Sequence, residues 1–151
     1  MTTNSNLMEN ARIGKAAELL VRAQLLLRNE FPAVYDVDDG VDIVLKSGVR
    51  IHVKSALPYR YKHLRNNLWF ISIRRGHNKR LMDFSENDIL ACVLFDSDKS
   101  ISKATVFLIP TKEINSKGSV LALSKTSTRS KYRKYADNWL LVNQNREVNN
   151  V

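Results

Sequence analysis

Asp42 opens one short apolar run and Lys54 sits near the end of the next, with Ser47-Gly48 between them, in the stretch Gly40 to Ser55 that reads GVDIVLKSGVRIHVKS. If the two runs are strands, a carboxylate and an ammonium meet across a short hairpin. A carboxylate placed there can hold a divalent cation, and a lysine beside it can position a water or stabilise charge on a phosphate oxygen. The lysine stays charged in a half-buried site because an acid is close. Two further residues could carry chemistry: Glu18, the one acid in the central turns of an upstream helix pattern, oriented toward whatever that helix packs on, and His52, two positions before Lys54. The chemistry this set would support is hydrolysis of a phosphodiester by a cation-activated water.

The elements that must position them are legible in the pattern. Asp42 to Lys46 and Val49 to Ser55 are rich in Val and Ile, and Ser47-Gly48 reads as a two-residue hairpin connection. In the second strand Ile51 and Val53 point one way, toward a core, while His52 and Lys54 share the other face. Upstream, from about Met8 to Arg28, Ile13, Ala17, Leu20, Val21 and Leu27 recur at helical spacing, with Asn6 or Asn10 as the cap. Glu18 lies beside that apolar stripe; its plain structural alternative is a surface pair with Arg22.

Helix, loop, Asp strand, turn and Lys strand in this order resemble the PD-(D/E)XK nuclease superfamily. GKAAELL at 14–20, GVDIVL at 40–45, RIHVKSA at 50–56 and FLIP at 107–110 are most similar to the small homing endonucleases encoded within group I introns. The resemblance runs from Gly14 to about Val142. It implies an α/β fold with a restriction-endonuclease-like core, a mixed central β-sheet flanked by helices, and a metal-dependent DNA endonuclease using Mg²⁺ or Mn²⁺. It assigns Asp42 as the metal-binding aspartate, with the Val53 backbone carbonyl and Glu18 completing the ligands, and Lys54 as the catalytic lysine. His52 stands where the family has a second acid, or an amide in the intron-encoded group. That departure leaves His52 as a catalytic residue and metal ligand of a softer kind, suited to Mn²⁺, or marks a chain that binds DNA without cutting. Junction resolvases and restriction enzymes share the same core.

Charge points to a polyanionic partner independently of motifs. The net charge is +9, and from Ile43 to Met82 there are ten Lys or Arg and no Asp or Glu. Arg60, Lys62 and Arg65 interleave with aromatics; Arg74, Arg75, Lys79 and Arg80 form a second cluster; and Arg129 and Lys131 lie near the start of a C-terminal helix expected over Ser130 to Val142. Such clusters bind phosphates and make affinity fall with salt, without choosing a sequence. Double-stranded DNA is the expected partner, with a basic RNA-binding protein as the other class.

The rest frames the site. DILACVLF at 88–95 reads as a buried central strand, Lys103 to Ile109 as its neighbour, Leu68 to Ile73 and Ser119 to Leu123 as further strands, and Thr111 to Asn115 as a helical turn. The 151 residues are expected to form a single domain over 1–151 with frayed ends at 1–7 and 143–151. No apolar run reaches membrane length and no signal-peptide core opens the chain, so a cytoplasmic location is expected. The lone Cys92 excludes an internal disulfide and a cysteine zinc cluster. DVDDGVD at 36–42 lacks the distal Glu of a calcium loop and reads as an acidic turn, from which Asp38 or Asp39 could approach the metal. A domain this small spans few base pairs, so cleavage of a long site calls for a homodimer or homotetramer.

Overall fold

The computed structural model describes residues 3–30, 33–34, 41–59, 67–75, 80–81, 88–114 and 118–144. Its frame is a helix on a mixed sheet. The helix α1 runs over Thr3–Leu27. Strands β1 (Ala33–Val34), β2 (Ile43–Val44) and β3 (Arg50–Ala56) follow. Next come β4 (Trp69–Ser72), β5 (Arg74–Arg75), β6 (Arg80–Leu81), β7 (Ile89–Leu94), β8 (Thr105–Pro110) and β9 (Val120–Leu123), with a short α2 at Leu140–Gln144.

Five strands form the central sheet in the order β1-β2-β3-β7-β8. β3 and β7 are parallel, with Ile51 beside Ile89 through Ala56 beside Leu94, and the remaining neighbours are antiparallel. Alternation along β7 supplies two cores at once. Ile89, Ala91 and Val93 meet Ala17, Val21 and Leu25 of α1, whereas Leu90, Cys92 and Leu94 meet Trp69, Ile71, Leu121 and Leu123 of the separate β4–β9 pair. A strand buried on both faces needs the continuous apolar run found at 89–94. Burial also pushes the Cys92 thiol up, so it stays a neutral core group.

Four expectations are corrected. The α1 helix starts at Thr3, ahead of both Asn6 and Asn10; its extra turn carries exposed Leu7 and Met8, which touch no core and leave no periodic signal. The β2–β3 connection has three residues, 46–48: Leu45 N–H donates to the Val49 carbonyl at 2.9 Å, Gly48 N–H to the Leu45 carbonyl at 2.8 Å, and Gly48 takes φ 87°. The face of β3 bearing His52 and Lys54 is covered in part by the second core, with His52 buried and Lys54 half-buried.

The largest difference is at 130–142, where a helix was expected. A 3-10 turn at Arg133–Tyr135 is followed by Ala136 bridged to Phe107 and by Asp137 at φ 49°. Asp137 clamps the edge of β8: its N–H donates to the Val106 carbonyl at 2.7 Å and its Oδ1 accepts the Val106 N–H at 2.9 Å. Tyr132 and Tyr135 pack in the β4–β9 core, while Trp139 and Val142 pack in the α1 core. A straight helix cannot reach both sides of a sheet, so the chain breaks as it rounds the edge.

Candidate functional site

Asp42 lies immediately before β2, against the middle of β3. Its N–H donates to the Ile51 carbonyl at 3.1 Å, and its Oδ2 accepts the N–H of Val53 at 2.6 Å. In an extended strand a residue's N–H and C=O project to the same edge, so the Val53 carbonyl shares an edge with the Asp42 carboxylate.

The electrostatics single out this carboxylate. Burial lifts the Asp42 pKa above its ordinary value, the Val53 hydrogen bond opposes that, Glu18 pushes it further up, and His52 and Lys54 pull it back. Asp42 thus feels all three of the other candidate residues. Glu18, held by α1 packed on β3, is only 24% exposed and pairs with Lys15 at 3.1 Å and Arg22 at 3.8 Å; the helix-surface pairing is present together with its influence on Asp42. Lys54 is half-buried on β3 beside Cys92 in register. Among the described residues no carboxylate stands within 4.0 Å of its ammonium.

His52 has a different engagement from the one its motif position suggests. Its Nε2 lies 2.8 Å from Oδ2 of Asp88, both side chains being 1% exposed. Arg50 Nε sits 3.6 Å from the other Asp88 oxygen, and the Asp88 carbonyl is anchored by the N–H and hydroxyl of Thr111 at 3.0 and 3.1 Å. Nε2 is thus engaged by a buried carboxylate, a contact that joins β3 to the start of β7 and that the motif position does not announce. Asp88 and Arg50 carried no local signal in the sequence: Asp88 is 36 positions from its histidine, and only the parallel pairing of β3 with β7 unites them.

The donor set suits a hard cation with few protein ligands. Two carboxylates, Asp42 desolvated and raised in part by Glu18, leave negative charge that a cation would relieve. Among the described residues no three His, Cys, Asp or Glu side chains converge. Mg²⁺, which keeps several waters, fits such a site. Asp38 and Asp39 lie outside the described residues.

The basic candidates divide. Arg60, Lys62, Arg65 and Lys79 lie outside the described residues, and Arg74, Arg75 and Arg80 fall on the β5–β6 pair. Arg129 and Lys131 are exposed, Lys131 with its ammonium 4.8 Å over the Tyr132 ring. Lys125 is structural: its ammonium donates to Asp96 Oδ1 at 2.6 Å and to the Lys103 carbonyl at 2.7 Å while lying 5.2 Å over the Trp69 ring. Both tryptophans are core residues. No helix among the described residues is long and apolar enough to cross a membrane.

The helix-backed mixed sheet, with its central parallel pair, is a nuclease-type α/β fold. A solved structure with this fold is a bacterial homing endonuclease, I-Ssp6803I, similar over 87% of this chain and 88% of that one with a TM-score of 0.58 and 17% identity. By sequence the chain matches no protein-family description and no curated protein.

Proposed function

We propose that this chain is a divalent-metal-dependent DNA endonuclease of the PD-(D/E)XK type, cutting both strands of a specific site as a homing enzyme does. The observation that carries the reading is Asp42: a half-buried carboxylate hydrogen-bonded to the lysine-bearing strand and acted on by Glu18, His52 and Lys54. The shared fold of a homing endonuclease adds support.

In this reading Asp42, with the Val53 carbonyl and Glu18, would hold Mg²⁺. The bound cation would supply an acidified water and neutralise charge developing on the phosphate. Lys54 donates to a non-bridging phosphate oxygen or orients the water, and the lack of a competing ion pair among the described residues supports that assignment. Glu18, shared with Lys15 and Arg22, orients the water side of the cleft. His52 and Asp88 hold β3 in place beneath. Arg60, Lys62, Arg65, Arg74, Arg75, Lys79, Arg80, Arg129 and Lys131 supply phosphate contacts, and a homodimer or homotetramer would present two cutting centres to one duplex.

The test is incubation of purified protein and its Lys54→Ala variant with a plasmid library carrying randomised inserts, with Mg²⁺ and with chelator. Cleavage that needs both Mg²⁺ and Lys54 is expected; cleavage surviving Lys54→Ala would remove the assigned site. One observation favours a second reading, a DNA-binding protein that does not cut: the family's second acid is replaced by a histidine turned to Asp88. That reading expects salt-sensitive binding to duplex DNA and intact plasmid with every divalent cation.

A further inference from the structure

The β4–β9 ribbon has two unlike faces. Trp69, Ile71, Leu121 and Leu123 are buried against the central sheet. On the opposite face Phe70 stands across from Ala122 and Ser72 across from Val120. Ser72 and Ala122 are exposed, and Val120 is 49% exposed. At one end Tyr59, 56% exposed, meets Phe70 edge-on at 5.9 Å. An antiparallel face left in water ordinarily alternates in polar residues, yet this one carries no charged side chain.

In sequence, the charge flanking both strands has one sign. β4 falls within 43–82, which holds ten Lys or Arg and no acid, and β9 falls within 114–136, which holds six Lys or Arg and no acid. Both strands of the ribbon therefore lie in stretches of chain without a carboxylate. A small, uncharged outer face in cationic stretches of chain is poorly matched to a protein partner, because four side chains fall far short of the roughly 800 Å² per partner that a stable interface buries. Duplex DNA has no such requirement, since phosphate contacts supply the affinity.

The major groove, about 12 Å wide, admits a two-stranded ribbon. A serine hydroxyl can face either a donor or an acceptor on a base edge, and alanine and valine methyls suit the thymine methyl. We infer that the outer face of the β4–β9 ribbon enters the DNA major groove and reads sequence there, with Ser72, Val120 and Ala122 as the discriminating residues. This rests on the endonuclease reading and adds to it the surface that chooses the site, separate from the residues that cut.

The test uses the full chain with Ca²⁺ in place of Mg²⁺, selecting binders from a library of duplexes with randomised centres. Wild type is expected to enrich a motif and to protect guanine N7 within it from methylation. Ser72→Ala and Val120→Thr should each change preference at one or two adjacent base pairs by on the order of fivefold, with the salt dependence of binding unchanged. Val120→Glu, whose folding is checked by its melting temperature, should weaken binding at least about tenfold by placing an anion against the duplex. Motifs and affinities identical to wild type in all three variants would overturn the inference, as would preference for a structured RNA competitor over the enriched duplex. Salt-sensitive wild-type binding with no base preference would remove the ribbon as reader and, with it, site-specific cutting, leaving metal-dependent DNA cleavage at Asp42 and Lys54 to be judged by its own test. No duplex binding at any salt would remove both.

Discussion

Oδ2 of Asp42 accepts the N–H of Val53 at 2.6 Å, so a side chain takes a position on the edge of β3 that a neighbouring strand's backbone would otherwise fill. The hydrogen bond fixes the carboxylate, yet burial and Glu18 leave it harder to ionise than an ordinary aspartate.

A raised folded-state pKa has a definite sign. The folded protein holds the Asp42 proton more tightly than the unfolded chain, so this contribution to stability is full below the unfolded value and is lost as pH rises through the folded one. Asp42→Asn keeps an oxygen for Val53 and removes the charge. Thermal melts in chelator should show the variant more stable than wild type above that window. Mg²⁺ should raise the wild-type melting temperature and leave the variant unmoved; a variant less stable than wild type at neutral pH would contradict the assigned cause.

Lys54→Ala is expected to lower single-turnover cleavage by on the order of a hundredfold to a thousandfold, the cost of removing a donor aimed at developing charge. Duplex binding in a gel-shift assay should change little. Loss of binding in parallel with cleavage would instead make Lys54 an affinity residue.

Asp88→Ala strands His52 and Arg50 beside a vacated carboxylate position, and breaking a buried pair from one side costs about 3 to 5 kcal/mol. Urea denaturation should show that loss. A cycle with His52→Leu should recover a large part of it, because the double variant leaves fewer polar groups unpaired at that place. Independent, additive losses would show that the two side chains do not act as a pair.

Gly48→Ala meets nothing within 4 Å of the added Cβ, so its cost is conformational alone. Holding an L-residue at φ 87° should cost about 1 to 2 kcal/mol. Gly48→Asn should cost less, since Asn tolerates the left-handed region better. Equal melting temperatures for all three proteins would mean that the turn relaxes.

The sequence was most readable where local pattern and global packing agree. The run 89–94, apolar at every position, could only be an inner strand, and the Val/Ile runs around Ser47-Gly48 could only be a hairpin. The proximity of Asp42 and Lys54 followed from that hairpin. Two features lay beyond local pattern. Tyr132, Tyr135, Trp139 and Val142 carry helical spacing because each is buried, but they are buried on opposite sides of the sheet, which spacing cannot distinguish. His52 reads as a motif residue until β7 brings Asp88 beside it, and no property of residues 50–56 announces a partner so distant in the chain.

The parallel register that sets Ile51 beside Ile89 also governs when the surroundings of Asp42 and Lys54 can form. A hairpin at 42–54 can close early, but the floor beneath its lysine is completed only after a long crossover has brought β7 alongside, and contacts of high sequence separation form slowly. Trp139 and Val142 then cap the same core that α1 fills from the other end of the chain. A nascent polypeptide would carry its cationic stretches, and the attraction to polyanions that goes with them, before the proposed site at Asp42 and Lys54 was complete.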